Sequence, residues 1–425
     1  MSKRLFERVG VLACVSAALM VGSHPVAAEV SVWTLKSTIQ QVLEVAPEKK
    51  AAEAEVKVRR AGVAQAGLWE NPTIELGASN SMGKDDGAGG TDLNQFSISQ
   101  PLPLSGRLGQ QRKQAHASVK QAEADASLQS LLLEHEAARV FHRLQLSRAQ
   151  LSAMEERLQS ADEFQRIGQR REQAGDLSRL ERLRLDLVRE SARQGVASAE
   201  GKFSEALSDF QVLLGLAEAP SQLALLAGFP SLPPLAHLAS QQHVHPALVA
   251  ARQGVEAARH TVALARANRF SDPEIWLARE RDVLGDRRQN VTAFGVSVTV
   301  PLWNRGKGGI DAAQANRQKA QLEVDALQRR LDNRLKLNHL HLAHLIKQGE
   351  QYRAHILLPA EEVFQLSRKG FAAGQVEILN LVDAVNTYFD ARVQYLELLQ
   401  EAWLEAAALR RAAGYSLLTH KGTAQ

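Results

Sequence analysis

Apolar residues recur along this chain with two different periods. At 73–80, Ile74, Leu76 and Ala78 alternate with Thr73, Glu75, Gly77 and Ser79. That period of two puts one apolar and one polar face on an extended strand. Phe96 and Ile98 repeat the pattern between Gln95 and Gln100. Ile275 and Leu277, then Phe294, Val296 and Val298, do so again further on. Each pair of short runs encloses a polar stretch rich in Gly and Asp, Ser81 to Asp92 and Asp282 to Asn290, read as the loops of two β-hairpins.

Elsewhere the period is helical. Helices are expected over Val32 to Leu68 and His245 to Asn268, each stopped by the Asn71-Pro72 or Asp272-Pro273 step that follows, because proline disfavours helix at the residue before it. After each hairpin comes a much longer helix, Arg107 to Glu172 and then Gly306 to Gly370, each read as one uninterrupted rod. In the second, Val324, Leu327, Leu331, Leu335, Leu342 and Leu345 follow near-heptad spacing. At about 1.5 Å per residue such rods reach on the order of 100 Å. Glycine turns at Ala174-Gly175-Asp176 and Ala373-Gly374-Gln375 lead into shorter returning helices, Leu177 to Leu216 and Val376 to Ala413. A shorter helix before the hairpin and another after the turn, stacked end to end, would match one long helix.

These segments form a duplication. Asn71-Pro72 is answered by Asp272-Pro273, Gln100-Pro101-Leu102 by Val300-Pro301-Leu302, and Gly106 by Gly306. Gln114, Ala115, Gln121, Glu123, Asp125 and Ala126 return 200 residues later, and Ala174-Gly175 returns at an offset of 199. The chain divides into a leader (1–28), a first repeat (29–216), a proline-rich linker or equatorial girdle (217–242), a second repeat (243–414) and a short tail (415–425).

Composition narrows the class. Aromatic residues make up 5% of the 425 residues, which favours long helices. Lys3, Arg4 and Arg8, the apolar run Val9 to Val21, and Val26-Ala27-Ala28 read as a secretory signal. Val11-Leu12-Ala13-Cys14 has the outline of a lipoprotein site, but the apolar run continues past it. Cys14 is the single cysteine, so a chain cleaved after Ala28 has no thiol. The net charge of +4 falls to +2 once the leader's +2 is removed, too little and too evenly spread for a nucleic-acid partner. No segment has the roughly 18 apolar residues that a membrane helix needs. No Ser-His-Asp set, phosphate loop or H-E-x-x-H motif points to an enzyme, and no cofactor is implied. His339, His341 and His344, with His243 and His245, do not share one helix face, so no metal site is assigned to them.

Strand faces with this alternation suit either a soluble hairpin or a membrane strand with lipid on one side and water on the other. Four strands do not close a barrel, whereas three copies would supply twelve.

The order of hairpin, long helix, glycine turn and shorter helix, run through twice, resembles the TolC superfamily of outer-membrane efflux proteins from Val30 to Gly414. The stretches that carry the resemblance most are Gly370-Phe371-Ala372-Ala373-Gly374-Gln375-Val376-Glu377-Ile378-Leu379-Asn380-Leu381-Val382-Asp383-Ala384 and Pro101-Leu102-Pro103-Leu104-Ser105-Gly106-Arg107. The second has the flavour of the cobalt–zinc–cadmium and copper/silver branch.

The resemblance implies a mainly α fold with a small β part. Its duplicated halves would form a homotrimeric, twelve-stranded outer-membrane barrel continued by a periplasmic α-helical barrel. It also implies a periplasmic adaptor docked on the glycine turns (Ala174, Gly175, Asp176, Ala373, Gly374, Gln375) and an inner-membrane transporter of the RND type. Ile74, Leu76, Phe96, Ile98, Ile275, Leu277, Val296 and Val298 would face outer-membrane lipid, and Asp383, Asn380 and Glu181 would narrow the periplasmic gate. The family's gate tyrosine and its arginine partner correspond to Phe371 and Val376, so closure must rest on other contacts. The expected function is the exit duct of a tripartite pump, with heavy-metal cations as one cargo and organic toxicants or a secreted substrate as the other. The rival readings are a structural periplasmic coiled-coil protein and a secreted or periplasmic metal-binding protein.

Overall fold

The computed structural model describes residues 32–79, 92–218, 220, 222–226, 228–284 and 287–418. The leader, the first hairpin loop and the last residues of the tail lie outside the described residues. Helices α1 (Leu35–Val45) and α2 (Pro47–Gln65) precede strands β1 (Thr73–Ser79) and β2 (Asp92–Pro101). Helices α3 (Arg107–Gln173) and α4 (Arg179–Leu214) complete the first repeat. A short α5 (Leu235–Gln241) leads to α6 (Pro246–Ala267), β3 (Glu274–Leu284) and β4 (Arg287–Ser297). The second repeat ends with α7 (Lys307–Tyr352), α8 (Leu358–Ala372) and α9 (Ile378–Ala413).

The 67 residues of α3 form the spine of the molecule. Towards its start it packs on α2 and α6, where Gln114 bonds Thr261 (3.1 Å) and Arg60 pairs with Glu123 (2.7 Å). Towards its end it packs on α4 and α9, where Arg189 pairs with Asp162 (2.6 Å) and Arg392 donates to Glu156 (3.0 Å). Shorter helices therefore follow one another along one long rod, as the segment lengths suggested.

The two hairpins join. Antiparallel pairing of β2 with β3 gives one four-stranded sheet in the order β1-β2-β3-β4. Residues paired across strands share a face. Ile74–Ile98–Leu277–Phe294 and Leu76–Phe96 therefore lie on one side with Ile275–Val296. Thr73–Ser99, Glu75–Ser97 and Glu274–Ser297 lie on the other.

Three expectations are corrected, two of them by proline. Val32 to Leu68 is not one helix, because Ala46 is extended (ψ 121°) ahead of Pro47, which opens α2. The rod from Gly306 to Gly370 is not uninterrupted either. It carries Pro359, and residues 353–357 widen into a π turn before α8 begins. Proline has no N–H for the carbonyl of residue i−4, and its ring crowds that carbonyl, so the turn loosens there. The third correction is to the stretch Asp282 to Asn290. It is mostly strand, since the ladder runs on to Leu284↔Arg287.

The connector between the repeats is a girdle rather than a free linker. Trp33 and Leu223 form a parallel bridge. Gln145 Nε2 donates to the carbonyls of Ala224 (2.7 Å) and Leu225 (3.1 Å), and Trp403 Nε1 donates to that of Gly228 (3.0 Å). Phe229 lies edge-on to Tyr395 and directly over Gly349. A Cβ at Gly349 would sit 1.8 Å from Phe229 Cζ. Gly349→Val should therefore expel the ring at a cost of about 1–3 kcal/mol, the usual range for overpacking. Limited proteolysis should then cut between 222 and 233 before the helices unfold; an unchanged digestion pattern would mean that the ring does not hold the girdle.

Candidate functional site

The far end of the helical layer brings both glycine turns together. Gly175 and Gly374 take the left-handed conformation (φ 83° and 76°), which costs glycine little. Asp176 N–H bonds Arg171 O (2.8 Å) and Gln375 N–H bonds Gly370 O (2.8 Å), the same six-to-one closure at both helix ends. Ala174, Gly175, Asp176, Ala373, Gly374 and Gln375 are all exposed.

Beneath the turns lies an aromatic core. Phe371 is fully buried and meets Phe164 edge-on at 6.1 Å. Phe364 stacks on Tyr388 (5.0 Å), which meets Phe389 at 4.9 Å. Arg171 at the end of α3 lies over the Phe371 ring, 5.4 Å from its centroid, and donates to the Phe371 carbonyl (3.4 Å). A guanidinium held on a ring face, where the quadrupole is negative, thus joins the two turns.

Asn380 and Asp383 are exposed near the start of α9, one helical turn apart, beside the buried Leu381 and Ala384. Their face continues as a polar stripe of Thr387, Asp390, Gln394, Glu397 and Glu401, all exposed at spacings of three and four. Asp390 lies 3.7 Å from Arg157, and Glu397 accepts from Gln150 (3.3 Å).

Glu181 is engaged differently. It is the third residue of α4, and its carboxylate accepts from Ser178 N (2.9 Å) and Oγ (2.7 Å), while Ser178 Oγ accepts from Glu181 N. This capping box satisfies donors at the helix start. The bonds from the Ser178 backbone and hydroxyl hold the carboxyl below its ordinary value. Ser178-x-x-Glu181 is the sequence signature of this box, and the gate assignment passes over it.

In the sheet, Ile74, Leu76, Phe96, Ile275, Leu277 and Val296 are exposed on one face, and Ile98, on the same face, is half-buried. Phe294, also on that face, is 85% exposed, which makes it the most exposed large apolar side chain of the belt. Val298 is exposed just past the end of β4.

Three of the five histidines have local partners. His341 lies between Glu405 (3.4 Å) and Glu401 (3.9 Å), His339 bonds the Pro233 carbonyl, and His245 caps α6 and meets the Arg411 carbonyl. Among the described residues no group of three or more His, Cys, Asp or Glu is arranged to hold a metal ion.

Together these features define a protein whose long paired helices end in two adjacent glycine turns and whose small sheet has one exposed apolar face. The chain belongs to the family described as outer membrane efflux protein, which matches residues 38–216 and 238–415, one segment per repeat. The cobalt-zinc-cadmium resistance protein CzcC of Cupriavidus metallidurans is 26% identical over 250 residues, 58% of this chain and 59% of that protein. The nickel-cobalt-cadmium resistance protein NccC of Alcaligenes xylosoxydans xylosoxydans is 24% identical over 291 residues, 68% and 65%. The match thus spans less than two thirds of either relative's length. Among solved structures, CusC superposes with a TM-score of 0.75 at 20% identity, covering 90% of this chain and 92% of that one. The outer membrane protein VceC of Vibrio cholerae gives 0.72 at 17%, covering 89% and 96%. The structural matches bear out the mainly helical fold with duplicated halves.

One buried group was not legible as a candidate. His142 stacks on Trp403 (5.4 Å between centroids) and bonds Gln145 (2.9 Å), which in turn holds the girdle. Its Nε2 is buried without a partner. Burial lowers its pKa to about 4, against a small opposing effect of the Gln145 bond. The unfolded chain takes up this proton near pH 6.5 and the folded chain does not, so the stability is fully present above 6.5 and is lost as pH falls towards 4. The loss should approach about 3 kcal/mol. His142→Phe should flatten this part of the acid sensitivity in thermal unfolding at pH 7 and 4.5; an unchanged difference would mean that the proton binds elsewhere.

Proposed function

We propose that this chain is the outer-membrane exit duct of a tripartite efflux pump and that its cargo is heavy-metal cations. The observation that carries the reading is the sheet. One face carries an apolar belt in the open, with Arg279 and Thr292 beside Phe96, the other carries Thr73, Glu75, Ser97, Ser99, Glu274 and Ser297 together with Trp276 and Ala278, and β1 and β4 each pair on one side only among the described residues. Open strand edges are not tolerated in hydrocarbon. A homotrimer removes them: three sheets of four strands give twelve, with β4 of one copy beside β1 of the next. Ile74, Leu76, Phe96, Ile98, Ile275, Leu277, Val296 and Val298, with Phe294 added, then meet outer-membrane lipid. The helices run into the periplasm as a second barrel, and the six turn residues dock on a periplasmic adaptor joined to an RND-type inner-membrane transporter.

Metal cargo is supported by two observations. The relatives CzcC and NccC are named for resistance to cobalt, cadmium, zinc and nickel. The exposed stripe of α9 carries Asp383, Asp390, Glu397 and Glu401 and no lysine or arginine. Turned inward in three copies, it raises the local concentration of cations. Asp383 forms the three-carboxylate ring at the periplasmic constriction, Asn380 a neutral ring one turn away, and Glu181 caps α4 beside it.

The belt is tested by a pair of neighbours. Val296→Arg should cost about 2–4 kcal/mol near the midplane and deplete the heat-resistant trimer in outer-membrane fractions, whereas Ser297→Arg, on the polar face, should leave it. Equal tolerance at the two positions would reject the barrel. The gate is tested in planar bilayers. Purified trimer should conduct little, favour cations, and be blocked by multivalent cations from the periplasmic side. Asp383→Ala should relieve the block and Asn380→Ala should change it less; if Asp383→Ala alters neither block nor selectivity, the constriction lies elsewhere.

A further inference from the structure

The apolar belt of the sheet does not stop where the strands end. Val298, Val300 and Leu302 beyond β4, Leu104 beyond β2 and Phe270 beyond α6 are all exposed. Between the end of α6 and the start of α3 runs a groove of about 600 Å³. Leu104, Phe270, Pro273 and Val298 line its end nearest the sheet, and Arg266 and Gln110 line it one helical turn further away. Val298 continues the alternation of Phe294 and Val296, so the groove opens on the apolar face.

Arg266 is exposed and has no ion pair or hydrogen bond among the described residues. The carboxylates of this junction are engaged elsewhere. Asp272 and Glu70 both pair with Arg107, and Ser105 also bonds Asp272. Glu274 lies on the other face of the sheet. Arg269 supplies a second cation. It lies over the Phe270 ring (5.9 Å) and reaches the start of α7, where a Cβ on Gly306 would sit 3.5 Å from its Cγ. An arginine in the last turn of a helix also suits the helix dipole, but that role needs neither a groove nor an apolar wall. The first repeat lacks both cations. With Asn71-Pro72 set on Asp272-Pro273, Arg266 corresponds to Gln65, Arg269 to Leu68 and Phe270 to Trp69. The aromatic residue is kept and the charges are gone.

We propose that this groove binds an anionic phospholipid, one per chain, in the leaflet that faces the periplasm. In the duct proposed above, on which this site depends, the belt lies in lipid and the helices reach into the periplasm. The phosphodiester pairs with Arg266 and Arg269, and the acyl chains run back over Phe270, Val298, Val296 and Ile275. A guanidinium offers phosphate oxygens a planar fork of donors. A choline headgroup brings its own cation against the two arginines, whereas a glycerol headgroup does not.

The trimer, purified in detergent and stripped of lipid, is titrated with phosphatidylglycerol or with phosphatidylcholine of the same acyl chains and followed by native mass spectrometry. Phosphatidylglycerol should bind more tightly and saturate near three lipids per trimer, one for each second repeat. Arg266→Gln should weaken this binding about fivefold, and Arg266→Gln with Arg269→Gln more than about tenfold. Arg266→Lys should keep most of it. Arg112→Gln, which removes an equal charge beside Gly67 in the first repeat, should leave it unchanged. Equal binding of the two lipids by the wild-type trimer overturns the proposal, whether or not the variants assemble. So does a preference that survives in the double variant, or binding of neither lipid, as when a neighbouring copy fills the groove. Displacement of phosphatidylglycerol by an equal concentration of inorganic phosphate also overturns it, since the groove would then be a phosphate site only. A chain that purifies without detergent as a soluble monomer would instead strike the duct reading itself.

Discussion

Backbone hydrogen bonds that one chain cannot complete constrain this molecule most. Among the described residues the outer edges of β1 and β4 present a row of amide and carbonyl groups, and the face between them exposes Ile74, Leu76, Phe96, Ile275, Leu277, Phe294 and Val296. In water the apolar belt is costly, and in lipid the open edges are. Closure with further copies, as in the proposed trimer, satisfies both. The helical layer has the same difficulty in milder form. Its spine, α3, is covered from several sides, but Leu180, Leu183 and Leu187 of α4 and Val363 and Leu366 of α8 remain exposed at the layer's two margins. The proposed trimer would cover the strand edges and the helix margins together.

Where sequence reading succeeded, a local rule and the tertiary structure agreed. Period-two alternation placed the strands, and a duplication with a nearly constant offset showed that both hairpins belong to one plan. The glycine turns were legible because an αL position after a long helix has few other residues to choose from. Where the reading failed, the same rule had been applied in one place and omitted in another. Asn71-Pro72 was read as a helix stop and Ala46-Pro47 was not, although the structure extends Ala46 for the same steric reason. Pro359 was passed over inside a rod that it locally loosens.

The site was less legible than the fold, because its contacts join residues far apart in sequence. Arg171 and Phe371 are separated by 200 positions, and no spacing rule links an arginine to a ring at that distance. Gln145, His142 and Trp403 hold the girdle in the same long-range way, and each alone reads as an ordinary helix residue. Glu181 shows the converse: a local motif, the capping box, explains its position without reference to a pore.

The duplication also has a chemical asymmetry that fold comparison alone would miss. Two repeats of one ancestor produce equivalent backbones, so superposition treats the seams within and between chains as alike. Side chains need not follow. Asp383 of α9 corresponds to Arg184 of α4, and Asn380 to Glu181. The acidic stripe therefore belongs to one repeat only, and in the proposed trimer three copies would give a threefold pattern of charge on a nearly sixfold frame. An axial cation would then meet three carboxylates at one level rather than six. A ring of six would repel itself more strongly and hold multivalent cargo more tightly, whereas a duct must let its cargo leave. In that trimer, sequence divergence between the repeats would set this balance without disturbing the backbone on which closure depends.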